Sequence, residues 1–317
     1  MAHRYRFLGE MVDGENLVRN VLNPSIAPPQ TIVAMDRHQE EISSGGVAKN
    51  SGDQPFEIPR RWRLPQDECH HALKTLRLPP HTEVEVTNGQ GLWSIGKLEV
   101  MGKNTCEVEV CFPPAEGGPK DPLTENNLLH EYLGGGIYRE IMSPRTLHIL
   151  LGALRPGEVD ELLPTFTELG VFSISIFAQK GTPTWSQKAS VLERWERILR
   201  QALKQCKRAY LPHISLAPSV DQALEELGQK YALDLTTVGK RVLSETSLWS
   251  LWEDLTPHSL ESHQILACGS ERGLHRDEFE SLENQGFRPV CLGGGILRAK
   301  TAVLLGAGIF SVAMNRR

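Results

Sequence analysis

Residues 146–177 read TLHILLGALRPGEVDELLPTFTELGVFSISIF. Two short apolar runs, TLHILLGAL (146–154) and VFSISIF (171–177), flank a segment with helical spacing near 158–169. Strand, helix, strand within so few residues is the unit of a parallel sheet, whose strands are apolar throughout because both faces are covered. The rhythm continues to the end of the chain. HISLA (213–217) precedes a helix from Val220, and RVLSE (241–245), HQILACG (263–269) and RPVCLGG (288–294) follow as further strands. A terminal helix comes last. This predicts an α/β domain with a mostly parallel sheet over 146–317.

Upstream the period changes. EVEVTN (83–88), LWSIGKLEV (92–100) and TCEVEVCF (105–112) alternate apolar and polar residues, with the turn signals NGQG and MGKN between them. Such alternation predicts half-buried antiparallel strands. We expect a small β-barrel within residues 1–112, closed by a strand near Tyr5 to Leu8. Residues 23–59 hold five prolines and an SSGG run and read as an insert; residues 113–145 hold five more prolines and read as a linker.

The chain has 317 residues, 40% hydrophobic and 23% charged, which excludes collagen-like, coiled-coil and wholly disordered classes. Its longest nearly uncharged apolar stretch, Thr301 to Met314, is shorter than the roughly 20 residues a bilayer requires, so no membrane association is expected. No apolar run follows the first charged residues, so a cytoplasmic protein is expected. Six cysteines form no metal-ligand spacing and read as reduced thiols, with no metal. The net charge is -5. The insert carries two basic against five acidic residues and the linker three against five, so they hold the whole deficit.

Against that background one segment is strongly basic. The helix at about 188–208 has an apolar stripe of Val191, Leu192, Trp195, Ile198, Leu199, Ala202 and Leu203. Its other faces carry seven basic and only two acidic residues. A solvated helix face and a phosphate-contacting surface both fit such a charge run. For RNA contact the candidates are Arg194, Arg197, Lys204 and Arg208, with Arg77 in the upstream helix. Two glycine loops complete the pattern. CGSERGL (268–274) and LGGGILR (292–298) each follow a strand and precede a helix. Loops at the carboxyl ends of parallel strands are where open α/β sheets bind ligands. Neither is a dinucleotide or Walker motif.

Five blocks of this chain, in order, resemble the RsmE family of ribosomal RNA methyltransferases: HHALKTLRL (70–78), TELGV (167–171), ERWERILRQALKQCKR (193–208), GSERGL (269–274) and LGGGILRAKTA (292–302). The resemblance implies an N-terminal PUA-like β-barrel and a C-terminal SPOUT domain with a trefoil knot, working as a homodimer. It also implies methyl transfer from S-adenosylmethionine to N3 of a uridine in small-subunit (16S) ribosomal RNA. By the same resemblance the cofactor would be held by Leu243, Gly269, Gly273, Leu292, Gly293, Gly294, Ile296 and Leu297. Arg298 and Glu271 would orient the base or the cofactor.

Where the family motifs have Glu, Gly and Lys, this chain has Lys300, Arg272 and Thr165. Those departures motivate an alternative, a catalytically impaired RNA-binding or ribosome-associated paralogue.

Overall fold

The computed structural model describes residues 5–12, 61–102, 104–111, 130–134, 136–140, 146–180, 189–231, 239–243, 263–290, 292 and 296–314. The insert expected at 23–59 lies outside the described residues. An N-terminal mixed sheet and a C-terminal parallel sheet pack through one helix.

The first sheet contains β1 (Arg6–Leu8), β2 (Glu10–Val12), β3 (Arg61–Arg63), β4 (Glu83–Thr87), β5 (Leu92–Gly102), β6 (Thr105–Val110), β7 (His130–Gly134) and β8 (Ile137–Glu140). Between β3 and β4 runs a short helix, α1 (Gln66–His70), continued by a π-helical turn over His71–Thr75. The main path runs β1-β4-β5-β6-β3-β2, with β8 joining β5 and β7 joining β8. The two outer strands, β1 and β2, are separated only by Gly9. Because successive Cα atoms are about 3.8 Å apart, the two ends of the path must lie side by side, so the sheet curls on itself.

Two expectations change here. The strand at Arg6–Leu8 pairs with β4 in parallel, not antiparallel. Residues 130–140, read as linker, form the β7–β8 hairpin of this sheet.

A third change concerns the cysteines: Cys69 and Cys106 form a disulfide between α1 and β6. Folding brings their Cα atoms to 5.6 Å, a proximity that a separation of 37 residues does not disclose. Cys111, Cys206 and Cys268 are free.

The second sheet is all-parallel, in the order β11 (His213–Ala217), β10 (Ser173–Phe177), β9 (Thr146–Gly152), β13 (His263–Cys268), β12 (Gly239–Leu243), β14 (Arg288–Val290). Among the described residues the helices that cover it are α2 (Pro156–Leu169), α3 (Ala189–Cys206), α4 (Val220–Tyr231), α5 (Arg276–Asn284) and α6 (Ala299–Met314). Alternate residues of one strand feed opposite layers. Leu147, Ile149 and Leu151 of β9 join a core with residues of α2, α3 and α6, while Leu150 joins a second core with residues of α4 and α5. The three-layer arrangement explains the uninterrupted apolar runs.

Helix α3 is the joint. Its stripe places Trp195 and Leu199 in the parallel-sheet core, and the Trp195 indole N–H donates to Asp160 Oδ1 at 3.1 Å. Its carboxyl end meets the first sheet. Lys204 Nζ donates to Glu68 Oε1 at 2.7 Å, and Lys207 Nζ to Glu85 Oε1 at 2.8 Å. Arg208 pairs with Glu140 at 2.9 Å, and backbone bonds Gly91 N–Ala209 O and Leu211 N–Gly89 O, each 2.8 Å, stitch the following loop to β5 and its turn. Arg6 completes the joint: Nε donates to Glu85 Oε2 at 2.9 Å and Nη1 to the Arg208 carbonyl at 2.9 Å.

Candidate functional site

Parallel strands put all their carboxyl ends on one edge of the sheet, and the sequence-predicted ligand residues gather there. Gly269 follows β13, Leu243 ends β12, and Leu292 lies just beyond β14. These three strands are neighbours, so the topology brings segments distant in sequence to one place. Ile296, Leu297 and Arg298 lead into α6, whose first residue is tied back to β13 by a Cys268 Sγ–Ala299 O contact of 3.9 Å. Gly293 and Gly294 lie outside the described residues. The side chain of Leu243 is likewise not described.

The loop after β13 is a tight turn. Gly273 N donates to Ser270 O at 2.8 Å, and the positive φ of the turn, 74°, falls on Gly273. Arg272 therefore sits at a position that any residue tolerates, and its side chain is exposed. The backbone needs no glycine at position 272. A Cβ placed on Gly273 would meet nothing within 4 Å, so the loop backbone is open to approach on that side. An open glycine backbone at the carboxyl ends of parallel strands suits the close approach of a ligand.

Beside this loop stands a pair of carboxylates. Glu271 hydrogen-bonds Glu158, in the first turn of α2, and Arg155 at the start of that helix donates to Glu158 from its backbone N–H at 3.2 Å and from its guanidinium. The hydrogen bond with Glu271, and next those from Arg155, hold Glu158 down at about 2. Burial, and next the bond to Glu158, push Glu271 up. The pair lies where β9 and β13 adjoin; from β9 the chain moves outward to β10 and β11, then crosses to β12 and β13 on the other side of β9. Such a switch in direction opens a crevice at the strand ends.

Arg298 is exposed at the foot of α6 and forms no ion pair among the described residues. Lys300, a reversal of the expected charge, pairs with Glu161 of α2, one helical turn before Thr165. The charge of Lys300 is thus met by α2 rather than left facing the ligand edge.

The RNA candidates separate into two groups. Arg197 is exposed, as is its neighbour Arg200, and neither makes an ion pair among the described residues. Arg77 is exposed too, at a positive φ of 53°. Arg194 pairs with Asp160 on the surface. Lys204 and Arg208 depart from the expectation: they hold the buried carboxylates of Glu68 in α1 and Glu140 in β8 rather than facing solvent. Lys207 holds Glu85, in a strand whose alternation reads as a wet face. That face is dry because α3 covers it.

Sequence reasoning missed Arg155, Glu158 and Gln179, all at the same edge. Gln179 lies two residues beyond β10, where the rule for strand carboxyl ends could have found it. The opposite edge carries a different polar cluster. Hydrogen bonds link Thr146 Oγ1 to His148 Nε2 (2.9 Å) and His263 Nδ1 (2.6 Å), and His148 Nδ1 to Ser173 Oγ (2.7 Å). Burial, then the charge of His263, pushes His148 down to about 3. It is a neutral, structural histidine.

Among the described residues no group of three or more His, Cys, Asp or Glu could hold a metal ion, and no helix is long and apolar enough to cross a membrane.

Residues 142–311 match the family described as an RNA methyltransferase domain. A ribosomal RNA small subunit methyltransferase E from Synechocystis sp. is 31% identical over 163 residues, 51% of this chain and 51% of the relative. The match thus spans about half of that relative's length. The protein of the same name from Buchnera aphidicola subsp. Acyrthosiphon pisum is 30% identical over 239 residues, 75% of this chain and 83% of the relative. Among solved structures, a ribosomal RNA small subunit methyltransferase E from Neisseria gonorrhoeae, bound to S-adenosyl methionine, is similar in fold. Its TM-score is 0.62 at 22% identity, covering 82% of this chain and 95% of that one.

Proposed function

Because the chain belongs to the RsmE family of ribosomal RNA methyltransferases, we propose that it uses S-adenosylmethionine to methylate N3 of a uridine in small-subunit ribosomal RNA. The observation that carries the reading is the convergence of the Gly269–Leu274 loop and the Leu292–Ala299 segment at the ends of three adjacent parallel strands. When bound, the cofactor supplies an electrophilic sulfonium methyl. Gly269 and Gly273 offer backbone to its polar end, while Leu243, Leu292, Ile296 and Leu297, with Gly293 and Gly294, line its place.

The chain's own task is chiefly positioning, since methyl transfer needs an in-line approach of the ring nitrogen. Arg298 stabilises negative charge on the uracil as its N3 proton leaves. Glu271, hydrogen-bonded to Glu158 beside the loop, acts as an orienting group. The exposed Arg197 and Arg77 contact RNA phosphates, with Arg200 beside them. We extend the family reading to a knotted C-terminal domain, a PUA-like N-terminal barrel and a cytoplasmic homodimer acting on the small ribosomal subunit or its RNA. The dimer is supported by Leu305 (43% exposed) and Val312 (56%), two turns apart on one face of α6, with Ile296 (81%) beside its start.

The test is incubation of unmodified small-subunit RNA with the protein and S-adenosylmethionine, followed by nucleoside mass spectrometry. We expect N3-methyluridine with the wild type and a loss of roughly 100-fold in rate for Arg298→Ala, the size typical of one removed charge-stabilising donor. Cofactor binding without any methylated uridine would instead identify the impaired paralogue.

A further inference from the structure

We infer that Gln179 is a positioning residue for the cofactor loop, locking the Ser270–Gly273 turn onto β10 and α5 through one side-chain amide. The inference rests on the cofactor reading above. Gln179 is 6% exposed. Its Oε1 accepts from Ser270 N at 2.8 Å, and its Nε2 donates to Gly273 O at 3.2 Å and to Glu278 Oε2 at 2.6 Å. Both ends of the turn and the first turn of α5 are therefore held by a single planar group.

The surroundings are built around that group. A Cβ at Gly152 would lie 2.2 Å from the amide oxygen and 2.6 Å from Ser270 N, so β9 must end in glycine for the amide to reach the loop. Glu278 also accepts from His275 N at 2.8 Å, which caps α5 and fixes the carboxylate that receives the amide. Outside, Lys180 pairs with Asp277 at 3.1 Å, and its carbonyl bonds His275 Nε2 at 3.1 Å. None of these contacts is needed to close the turn, which its own Gly273 N–Ser270 O bond already does. What the amide adds is the placement of the turn relative to the neighbouring strands, and so of the backbone that meets the ligand.

The chemistry demands an amide. A carboxylate at 179 could accept from Ser270 N but would face Glu278 at hydrogen-bond distance, like charge against like. Exchanging the two groups removes the like-charge contact, since a glutamine at 278 can donate to a glutamate at 179, but it does not restore the whole network: Glu278 Oε2 also accepts from His275 N, and Gly273 O loses its donor.

The experiment measures S-adenosylmethionine affinity by isothermal titration on the full chain, with circular dichroism to verify folding. We expect Gln179→Ala and Gln179→Glu to weaken binding roughly 10- to 100-fold at pH 7.5, as for an unmet buried hydrogen bond. The double variant Gln179→Glu/Glu278→Gln should regain part of the loss of Gln179→Glu, because the like-charge contact is gone while the bond to Gly273 O stays unmet. The single Gln179→Glu variant should also regain affinity as pH falls and one carboxyl takes a proton. The wild type at the same pH values controls for Lys180, His275 and Asp277. In turnover the defect should appear in KM for the cofactor, with kcat little changed.

Equal affinity in wild type and folded Gln179→Glu, or no recovery in the double variant, overturns the role of Gln179 while leaving the cofactor reading intact. No binding by the wild type overturns the cofactor reading and this role with it. Should Gln179→Ala fail to fold, the pair Gln179→Glu and its exchange with Glu278 decides the matter.

Discussion

Midway along α3, Arg197 and Arg200 stand in solvent, whereas Lys204 near its end and Lys207 and Arg208 just beyond it reach buried carboxylates of α1, β4 and β8. The residue types are the same and the spacing continuous. What differs is the partner: Glu68, Glu85 and Glu140 lie 136, 122 and about 70 residues away in sequence. A run of basic charge is therefore two devices in one helix, an exposed half free to meet a polyanion and a docked half that joins the two sheets.

The comparison can be broken most forcefully at Glu140. Its carboxylate takes Arg208 and the backbone N–H groups of Ala209 and Tyr210. Glu140→Ala should lower the urea unfolding free energy by about 3 kcal/mol, the loss expected when one member of a buried ion pair is removed. A loss below 1 kcal/mol would show that the docked half is merely decorative.

Next in size is a pH effect that must be kept apart from the ion pairs. His148 titrates near 6.5 when unfolded and at about 3 in the fold, so between those values the unfolded chain binds the extra proton. Stability is complete above pH 6.5 and falls as the pH drops toward 3, by up to about 1.4 kcal/mol per unit. Denaturation curves at pH 7.5 and 5 should differ in that sense, and His148→Phe should flatten the difference. Unchanged slopes in that variant would remove His148 as the cause.

The smallest effect on the fold sharpens the exposed half. Arg197→Ala/Arg200→Ala should leave stability within about 0.5 kcal/mol. On RNA it should reduce the slope of log affinity against log salt by roughly two, one per phosphate contact. Lys204→Ala, by contrast, should destabilise the protein and leave that slope alone. The reverse pattern would exchange the assignments of the two halves.

Much of the fold was legible because it rests on local patterns. The apolar runs of β9, β10, β11 and β13 and the helical stripe of α3 read directly as a covered parallel sheet. The gathering of the two glycine loops at one edge of the sheet was legible too, since both follow parallel strands. The illegible parts are all contacts between distant segments. Glu85 sits in EVEVT at a position the alternation assigns to solvent, yet it is 1% exposed, because α3 covers that face. Arg6 reads as a surface charge beside the first strand and is instead buried against Glu85. The β7–β8 hairpin hides in a segment whose prolines and glycines resemble a linker. Gln179 has no pattern at all: a single amide after a strand becomes meaningful only when Ser270, Gly273 and Glu278 arrive around it. The change of charge at Lys300 was legible as a departure, but its partner Glu161 was not.

The contiguity of β1 and β2 around Gly9 bears on how the molecule is made. Residues 6–12 are translated before any of their partners. Strand β2 waits for residues 61–63, β1 for residues 85–87, and Arg6 for the carbonyl of Arg208, 202 residues later. At about 5–20 residues per second, that last interval is roughly 10 to 40 s of synthesis. Residues 6–12 are thus unpaired until β3 and β4 emerge, and their seating is complete only when the bond to Arg208 forms. Slowing elongation after residue 12 should lengthen their exposure, while the parallel sheet, built from consecutive strand–helix units, can assemble as it emerges.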